Sequence, residues 1–373
     1  MFSKKTCRRR HRPQSFWYAI FIIIIFRMFM NTKIFEMSSE EIDLSSIDEA
    51  ADILRSGGLV AFPTETVYGL GGNATDATAA ERIYAAKGRP SDNPLIVHIA
   101  SPEDAEQYAV TSEVYYRLAK SFMPGPLTVI LPKKETIPST VTGGLDTVAL
   151  RCPSHPIARA LIEAAGVGIA APSANRSGSP SPSLGEHVVR DMDGRIDAII
   201  DGGSCEIGLE STIISLDGST ATLLRPGAIT RDALLCVCDE VNIAPAVTET
   251  LAENERPLSP GMKYRHYAPS APLVLVDGDP DEVITFLYRA QNAERCAILC
   301  YTDEVTILRN ERLIDVGERD DLAAQAHALF AALRKADDFD CDIIYAHLPP
   351  KDGMGLALYN RLIRAAAHTV LSV

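Results

Sequence analysis

The sequence lacks the common signatures of phosphate, metal and acyl chemistry. It contains no G-x-x-x-x-G-K-[ST] phosphate loop, no G-x-S-x-G nucleophile motif, no H-E-x-x-H zinc motif and no EF-hand calcium loop. None of its eight cysteines forms a C-x-x-C pair, and no two histidines have zinc spacing. These absences exclude the usual P-loop cradle for phosphates and give no indication of a protein metal site.

The cysteine pattern also bears on the compartment. Cysteines without paired spacing are typical of proteins from reducing compartments, where thiols remain free. We therefore interpret them as reduced, mostly buried thiols of a cytoplasmic protein. They are Cys7, Cys152, Cys205, Cys236, Cys238, Cys296, Cys300 and Cys341.

Positive charge is scarce outside the first residues. The formal net charge is −13 over 373 residues. Residues 1–36 carry eight Lys/Arg and one Glu, hence +7, so the remaining 337 residues carry −20. A body this acidic repels nucleic-acid phosphates before any contact forms, so we expect no stable nucleic-acid binding. A local basic site could still bind a small phosphate.

The N-terminal segment differs from the rest of the chain. The basic stretch K-K-T-C-R-R-R-H-R precedes the apolar run F-W-Y-A-I-F-I-I-I-I-F. This run is too short to span a bilayer comfortably, and no small-x-small cleavage site follows it. We interpret residues 1–29 as an extension upstream of a true translation start at Met30, and we expect no membrane association. The alternative is a weak membrane anchor.

The remaining sequence predicts an α+β (α/β) fold in two domains. Residues 45–235 contain many short strands with interspersed helices but no strict alternation, which indicates a mixed sheet. Residues 236–271 are expected to be a linker carrying S-P-G-M-K-Y-R-H-Y-A-P. Residues 272–373 alternate strand and helix, which predicts a smaller parallel α/β domain, Rossmann-like in outline. Because no G-x-G-x-x-G stands at its first turn, we predict no dinucleotide site there.

The stretch K-G-R-P-S-D-N-P-L-I-V-H-I concentrates cations and amides at one turn of an acidic chain. It carries Lys87, Arg89, Asn93 and His98 around two prolines. One interpretation is an ordinary helix C-terminus, where the helix dipole favours cations. The other is an anion site, because arginine binds anionic oxygens bidentately and lysine supplies a point charge.

Three further segments place polar residues next to predicted strands. They are A-A-P-S-A-N-R-S-G-S-P-S-P-S (170–183), G-L-E-S-T-I-I (208–214) and L-L-R-P-G (223–227). Singly, each is ordinary, and the first could be a solvated loop. Loops that leave buried strands are nevertheless where sheets hold ligands, and prolines stiffen such loops for binding. By contrast, we expect T-E-T-V-Y-G-L-G-G after Pro63 to be a loop whose glycines serve the turn.

Together with F-P-T-E-T-V-Y-G-L-G, these segments closely resemble the YrdC-like family. The family's K-x-R and S-x-N signatures stand here as Lys87-Gly88-Arg89 and Ser173-Ala174-Asn175. The linker motif and the C-terminal domain resemble the two-domain threonylcarbamoyl-AMP synthases, over about residues 45–373. The resemblance implies a twisted mixed sheet with a positively charged concave cavity. It also implies synthesis of L-threonylcarbamoyl-adenylate and pyrophosphate from L-threonine, bicarbonate and ATP.

The resemblance also implies roles for individual residues. Lys87 and Arg89 would be catalytic, with Lys87 facing the phosphates, and His266 of the linker would close over the nucleotide. Mg²⁺ would enter with ATP, without a protein metal site. A separate complex would transfer the threonylcarbamoyl group to tRNA. L-threonine would be held by Thr66, His98, Arg151, Ser173 and Ser211, and ATP by Arg89, Asn93, Thr147, Asn175, Ser183, Arg225 and His266.

Three other functions compete with this one. An RNA-binding module would require a wide basic surface, which the −20 body argues against. A carbamoyl-transfer enzyme of hydrogenase maturation also contains a YrdC-like domain, but its acylphosphatase-like and zinc-finger segments are missing here. A structural partner without turnover would not need intact K-x-R and S-x-N signatures.

Overall fold

The computed structural model describes residues 31–249 and 267–373. The predictions for residues 1–29, for most of the linker motif and for His266 and Cys7 lie outside the described residues. Among the described residues, no helix combines the length and the apolar character needed to cross a bilayer.

Residues 31–249 build a mixed sheet of eleven strands. Five of its ten neighbouring pairs are parallel and five antiparallel. In chain order the strands are β1 Lys33–Glu36, β2 Val60–Phe62, β3 Gly69–Asn73, β4 Ile96–His98, β5 Leu127–Pro132, β6 Thr147–Arg151, β7 Ile169–Ala171, β8 Ala198–Asp201, β9 Thr212–Asp217, β10 Thr220–Arg225 and β11 Glu240–Ile243. In space the order is β1-β8-β2-β3-β7-β4-β6-β5-β9-β10-β11.

Helices cover this sheet and bury its apolar side chains. They are α1 Leu44–Arg55, α2 Ala77–Lys87, α3 Ala105–Tyr108, α4 Glu113–Phe122, α5 Pro156–Ala165, α6 Gly185–Met192 and α7 Arg231–Leu235. One core lies beneath α1 and α5 and contains Ile47, Leu54, Ile157 and Leu161. A larger core forms around β4, β5 and β6. Packing of these helices on the sheet fixes the positions of the strand ends.

Residues 267–373 build a separate sheet of five parallel strands. Its elements in chain order are β12 Leu273–Asp277, α8 Pro280–Ala293, β13 Cys296–Cys300, α9 Val305–Leu308, β14 Leu313–Asp315, α10 Leu322–Ala336, β15 Ile343–His347, α11 Gly355–Ala365 and β16 Val370–Ser372. The strand order is β14-β13-β15-β12-β16. The predicted fold class, a mixed sheet followed by a smaller parallel α/β sheet, is confirmed.

The two sheets share one hydrophobic core. Val67 and Leu209 from the first part of the chain pack in the same cluster as Phe330 and Leu362 of the second. The carbonyl of Glu206 also contacts His327 Nδ1 at 2.9 Å. Because apolar surface is buried in common, the second sheet packs against the first as part of one molecule.

Several elements differ from the expectations. Gly69–Asn73, expected to be a loop, is strand β3. Its glycines permit close packing, because a Cβ on Gly71 would lie 2.7 Å from Ile169 Cγ2. Strands β1 and β16 were not anticipated. The large sheet also extends past residue 235 to β11, which lies within the expected linker. This strand was missed because it is only four residues long. The other domain boundaries remain predictions.

The cysteines agree with their prediction. All seven in the described part of the chain are free thiols, and five are buried. Burial raises the pKa values of Cys152, Cys205 and Cys300 to about 12. These thiols therefore stay protonated and poorly nucleophilic.

Replacing Gly71 with alanine should destabilise the fold by about 1–3 kcal/mol. The new Cβ would lie 2.8 Å from Phe62 Cε1 and 3.2 Å from the Val60 carbonyl, in addition to Ile169. Gly72→Ala is the matched control, because its nearest atoms are side-chain carbons at 3.2–3.3 Å that can shift. Urea unfolding measures both variants. Equal losses at the two positions would contradict the closer approach of neighbouring atoms at Gly71.

Candidate active site

A cavity opens across the middle strands of the large sheet, with about 620 Å³ of empty space including its opening to solvent. Its charged lining consists of three arginines and one glutamate, hence a formal charge of +2. The lining comprises Thr64, Thr66, Val67, Tyr68, Gly69, Arg89, Ile96, His98, Arg151, Ala171, Pro172, Ser173, Asn175, Ser179, Ser181, Glu210, Ser211, Arg225 and Tyr267.

Strand pairing brings His98 and Arg151 together. The two residues end the parallel strands β4 and β6 and stand opposite each other in register. His98 Nδ1 lies 3.3 Å from the Ile169 carbonyl. Burial, followed by the charge of Arg151, lowers the pKa of His98 to about 3. The imidazole is therefore neutral, and a bond to the Ile169 carbonyl makes Nδ1 the protonated nitrogen.

Arg151 is held by the loop that follows β2. Its NH2 lies 2.8 Å from Glu65 Oε1, and both side chains are only 4 % exposed. The same nitrogen is 3.4 Å from the Thr64 hydroxyl, which also contacts Thr66 Oγ1 at 2.9 Å. Arg151 Nε has no hydrogen-bond partner among the described residues. Arg151 lies in the cavity lining, where its guanidinium charge suits an anionic ligand.

A second arginine lies where β9 begins and β10 ends. Arg225 Nε donates to the Ser211 carbonyl at 3.0 Å, and NH2 donates to Ser211 Oγ at 3.1 Å. Ser211 Oγ also contacts Thr128 Oγ1 at 2.7 Å. Burial lowers the pKa of Arg225 to about 10, so the group remains protonated at neutral pH. Arg225 is thus a fixed positive charge in the wall.

Lys87 lies beneath the cavity. Helix α2 is capped at its N-terminus by Asp76, whose carboxylate accepts from the Thr78 amide, and at its C-terminus by Gly88 in the left-handed region. Lys87 Nζ donates to the carbonyls of Ser173 and, at 2.6 Å, of Asn175. It also lies 3.3 Å from Asn175 Oδ1. Its donors are directed at the S-x-N loop, and the expectation that Lys87 faces the phosphates stays a prediction.

Burial also changes the proton affinity of Lys87. Its side chain is 4 % exposed, and desolvation, with the nearby charge of Arg89, lowers its pKa well below the usual value. The S-x-N loop adds bonds of its own, since Ser173 Oγ lies 2.6 Å from Asn175 Oδ1 and Asn175 Nδ2 donates to the Ser179 carbonyl at 2.7 Å. The bonds from Lys87 therefore hold the S-x-N loop, which forms one wall of the cavity, on the side away from the cavity.

Arg89 follows the helix and reaches the lining. Its Nε donates to the Asn93 carbonyl at 3.3 Å and its NH2 to the Pro94 carbonyl at 3.1 Å. The side chain is half-buried. These bonds hold the guanidinium along the R-P-S-D-N-P loop at the edge of the cavity.

The structure brings most of the predicted site residues together, but not all of them. Asn93 and Ser183 are buried outside the described lining. Thr147 begins β6, roughly 13 Å along the strand from Arg151. His266 lies outside the described residues. The predicted residues in the lining are Thr66, Arg89, His98, Arg151, Ser173, Asn175, Ser211 and Arg225.

Several lining residues were not assigned a role from the sequence. Glu210 is the most informative, because it is the one carboxylate in the described lining. Its position in G-L-E-S-T-I-I, next to Ser211, was the available signal. Tyr267 was visible within the linker motif, and its ring packs on Phe330 with centroids 5.1 Å apart. The other unassigned lining residues with hydroxyl groups are Thr64, Tyr68, Ser179 and Ser181.

The residues do not form a metal centre of their own. No group of three or more His, Cys, Asp or Glu that could hold a metal ion occurs in residues 31–249 and 267–373. Both oxygens of Glu210 already have partners, Ser181 Oγ at 2.6 Å and Arg361 Nε at 2.8 Å. A divalent cation in this cavity would therefore depend on ligands brought by the substrate.

Comparisons with known proteins agree with the two-part architecture. Residues 52–227 match the Sua5/YciO/YrdC family model, described as "Telomere recombination". Residues 229–367 match the model of the threonylcarbamoyl-AMP synthase C-terminal domain. The chain belongs to the threonylcarbamoyl-AMP synthase family, because it is also 45 % identical to a curated protein of that name over 94 % of that protein's length. The two matches together span most of the described residues.

Relatives cover nearly the whole chain. The threonylcarbamoyl-AMP synthase of Bacillus subtilis is 45 % identical over 328 residues, which cover 87 % of this chain and 94 % of that protein. The threonylcarbamoyl-AMP synthase of Pyrococcus abyssi is 46 % identical over 339 residues, which cover 90 % of this chain and 98 % of that protein. The crystal structure of P. abyssi Sua5 complexed with L-threonine matches with a TM-score of 0.85 at 44 % identity. It covers 92 % of this chain and 100 % of that one.

The depressed pKa of His98 should make stability depend on pH. Between about pH 6.5 and the folded value near 3, the unfolded chain binds a proton at this histidine that the folded chain does not. The unfolding free energy should therefore fall by about 1.4 kcal/mol per pH unit per such histidine as the pH is lowered. His98→Gln should remove the contribution of one histidine to this pH dependence of the unfolding free energy. Urea unfolding at successive pH values measures the change. Exposed His327→Gln is the control, and an unchanged slope in His98→Gln would contradict the assignment.

Proposed function

We propose that this protein is an L-threonylcarbamoyladenylate synthase. It joins L-threonine, bicarbonate and ATP into threonylcarbamoyl-AMP and pyrophosphate, the activated intermediate for modification of a tRNA adenosine. The observation that carries the proposal is the rigid cavity with three lining arginines, in a chain of the threonylcarbamoyl-AMP synthase family. Its likeness to the P. abyssi protein complexed with L-threonine supports threonine as the amino acid.

Threonine is assigned to the end of the cavity formed by β4 and β6. The guanidinium of Arg151, which lies in the cavity lining, suits the amino-acid carboxylate, and the unprotonated ring nitrogen of the neutral His98 can accept a hydrogen bond from the amine or hydroxyl. Hydroxyl groups complete this end of the site. The proposed threonine residues are Thr66, His98, Arg151, Ser173 and Ser211.

ATP is assigned to the remaining part of the cavity. Arg89 and Arg225 supply positive charge, and Asn175 supplies an amide in the S-x-N loop. Asn93, Thr147, Ser183 and His266 are proposed for ATP on family resemblance alone. Binding through Asn93, Thr147 and Ser183 would require the ligand to reach beyond the lining described above, so these are the weaker assignments.

The reaction follows from positioning and charge. The amine nitrogen of threonine bonds to the carbon of bicarbonate, with loss of water, to give a carbamate. A carbamate oxygen then attacks the α-phosphorus of ATP, and the bond to the β-phosphate oxygen breaks to release pyrophosphate. Neither step needs a covalent protein nucleophile. The site must align the reactants and stabilise negative charge on pyrophosphate, which fixed arginines can do.

Mg²⁺ is proposed to enter as part of the ATP complex. The cation would neutralise the negative charge that develops on pyrophosphate. The engaged carboxylate of Glu210 fits this assignment, because it leaves the phosphates and water as the ligands. Transfer of the product to tRNA is assigned to a separate complex, since the acidic body offers little attraction to RNA.

Incubation with ATP, Mg²⁺, bicarbonate and threonine tests this function. We expect pyrophosphate together with a species of the threonylcarbamoyl-adenylate mass, and neither product when threonine is omitted. Pyrophosphate release without threonine would indicate a different acceptor. No release in the complete mixture would disprove the proposal.

Arg89→Ala and Lys87→Met should separate two kinds of contribution. Arg89→Ala should abolish most adenylate formation with little loss of stability, because its side chain is half-buried at the cavity edge. Lys87→Met should lose activity and also about 1–3 kcal/mol of stability, because the Ser173 and Asn175 carbonyls lose a buried donor. Pyrophosphate release and thermal unfolding report the two effects. Normal stability in Lys87→Met would contradict its positioning role.

A further inference from the structure

A guanidinium from helix α11, in the second part of the chain, contacts a side chain in the wall of the cavity. Arg361, on α11, is 0 % exposed. Its Nε donates to Glu210 Oε2 at 2.8 Å, and its NH2 lies 3.4 Å from the Glu210 carbonyl. Its NH1 donates to Asn360 Oδ1 at 2.9 Å. All three nitrogens of this buried cation are therefore used, and two of them bind Glu210.

Glu210 connects this guanidinium to the ligand cavity. Its other oxygen accepts from Ser181 Oγ at 2.6 Å, and both Glu210 and Ser181 line the cavity. Tyr267, also in the lining, has its ring centroid 5.9 Å from the Arg361 guanidinium carbon. A continuous set of contacts thus runs from α11 to three lining side chains.

The negative charge of Glu210 would repel phosphates at the proposed site unless a cation neutralised it. Burial opposes its ionisation, but the charges of Arg361 and Arg225 and the Ser181 hydroxyl lower its pKa to about 2. A buried carboxylate without Arg361 would turn to Arg225 and compete with an anionic ligand for that guanidinium. Arg361, which is not part of the described lining, compensates Glu210 from behind.

We propose that Arg361 is a positioning residue that keeps Arg225 available to ATP by neutralising Glu210 and fixing Ser181. The proposal rests on the function proposed above, because it concerns how the same cavity holds a polyphosphate. It makes α11 a functional part of the site without any contact between Arg361 and the ligand. The C-terminal domain then contributes charge as well as packing to the reaction.

A double-mutant cycle tests the proposal. The variants are Arg361→Met, Glu210→Gln and the two combined. Methionine keeps an unbranched side chain beneath Tyr267 while removing the charge, and glutamine keeps the shape of Glu210. The measurements are kcat and KM for ATP, and calorimetric Kd values for ATP and for inorganic pyrophosphate.

The expected result is coupling between the two positions. Arg361→Met should raise KM and Kd for ATP by about tenfold or more, with a smaller change in kcat. In the Glu210→Gln background the same substitution should change these values by about twofold or less. Equal losses in both backgrounds, or an unchanged KM in Arg361→Met, would overturn the proposal.

Arg364→Met is the matched control for docking of the second sheet. Arg364 lies on the same helix, and its NH2 donates to the Ala246 carbonyl at 2.6 Å. It should retain ATP affinity close to that of the unmodified protein. A loss equal to that of Arg361→Met would show that docking alone matters, and would overturn the charge argument.

If Arg361→Met does not fold, Arg361→Lys takes its place in the cycle. Lysine keeps the charge but loses the fork that binds both the side chain and carbonyl of Glu210, so we expect a loss of about three- to tenfold in ATP affinity. No loss would overturn the proposal. If the unmodified protein binds pyrophosphate but makes no adenylate, the proposed function fails, while the pyrophosphate cycle still tests Arg361 separately.

Discussion

Buried positive charge is the constraint on which the rest of this structure depends. The cavity keeps Arg151 and Arg225 almost completely out of water, where an unpaired guanidinium would be strongly destabilising. Each is therefore held by groups from a different segment, Glu65 for Arg151 and Ser211 for Arg225. The loops after β2 and before β9 must occupy fixed positions to provide these partners.

The same requirement explains how an acidic protein can offer an anion site. The lining carries a formal charge of +2 although the chain carries −13 overall. Glu210 would weaken this local field, but a fully buried guanidinium from the other sheet lies against it. The charged side chains of the cavity wall are thus compensated by groups that lie outside the lining, Glu65 for Arg151 and Arg361 for Glu210. Short-range fields of this kind suit small polyphosphates better than long nucleic acids.

Much of the fold and part of the site could be predicted from the sequence. Helix α2 was predicted with its observed bounds, because Asp76 caps one end and Gly88 stops the other. Strand β6 was likewise predicted over Thr147–Arg151 from its apolar pattern. Strand β3 was misread, because glycines that allow close packing cannot be distinguished from turn glycines without the neighbouring strands. The direction of the Lys87 side chain had no local signal either, since its acceptors lie 86 and 88 positions away.

The sequence by itself determined most element types, the two-part architecture and the family, because periodicity, caps and motif spacing are local properties. It also marked which segments carry polar groups. Only the tertiary structure decided which of those groups share one cavity and which stand behind it. Parallel pairing of β4 and β6 sets His98 beside Arg151, and packing of α11 brings Arg361 to Glu210 from 151 positions away. Such contacts depend on long-range burial of apolar surface, which no short stretch of sequence encodes.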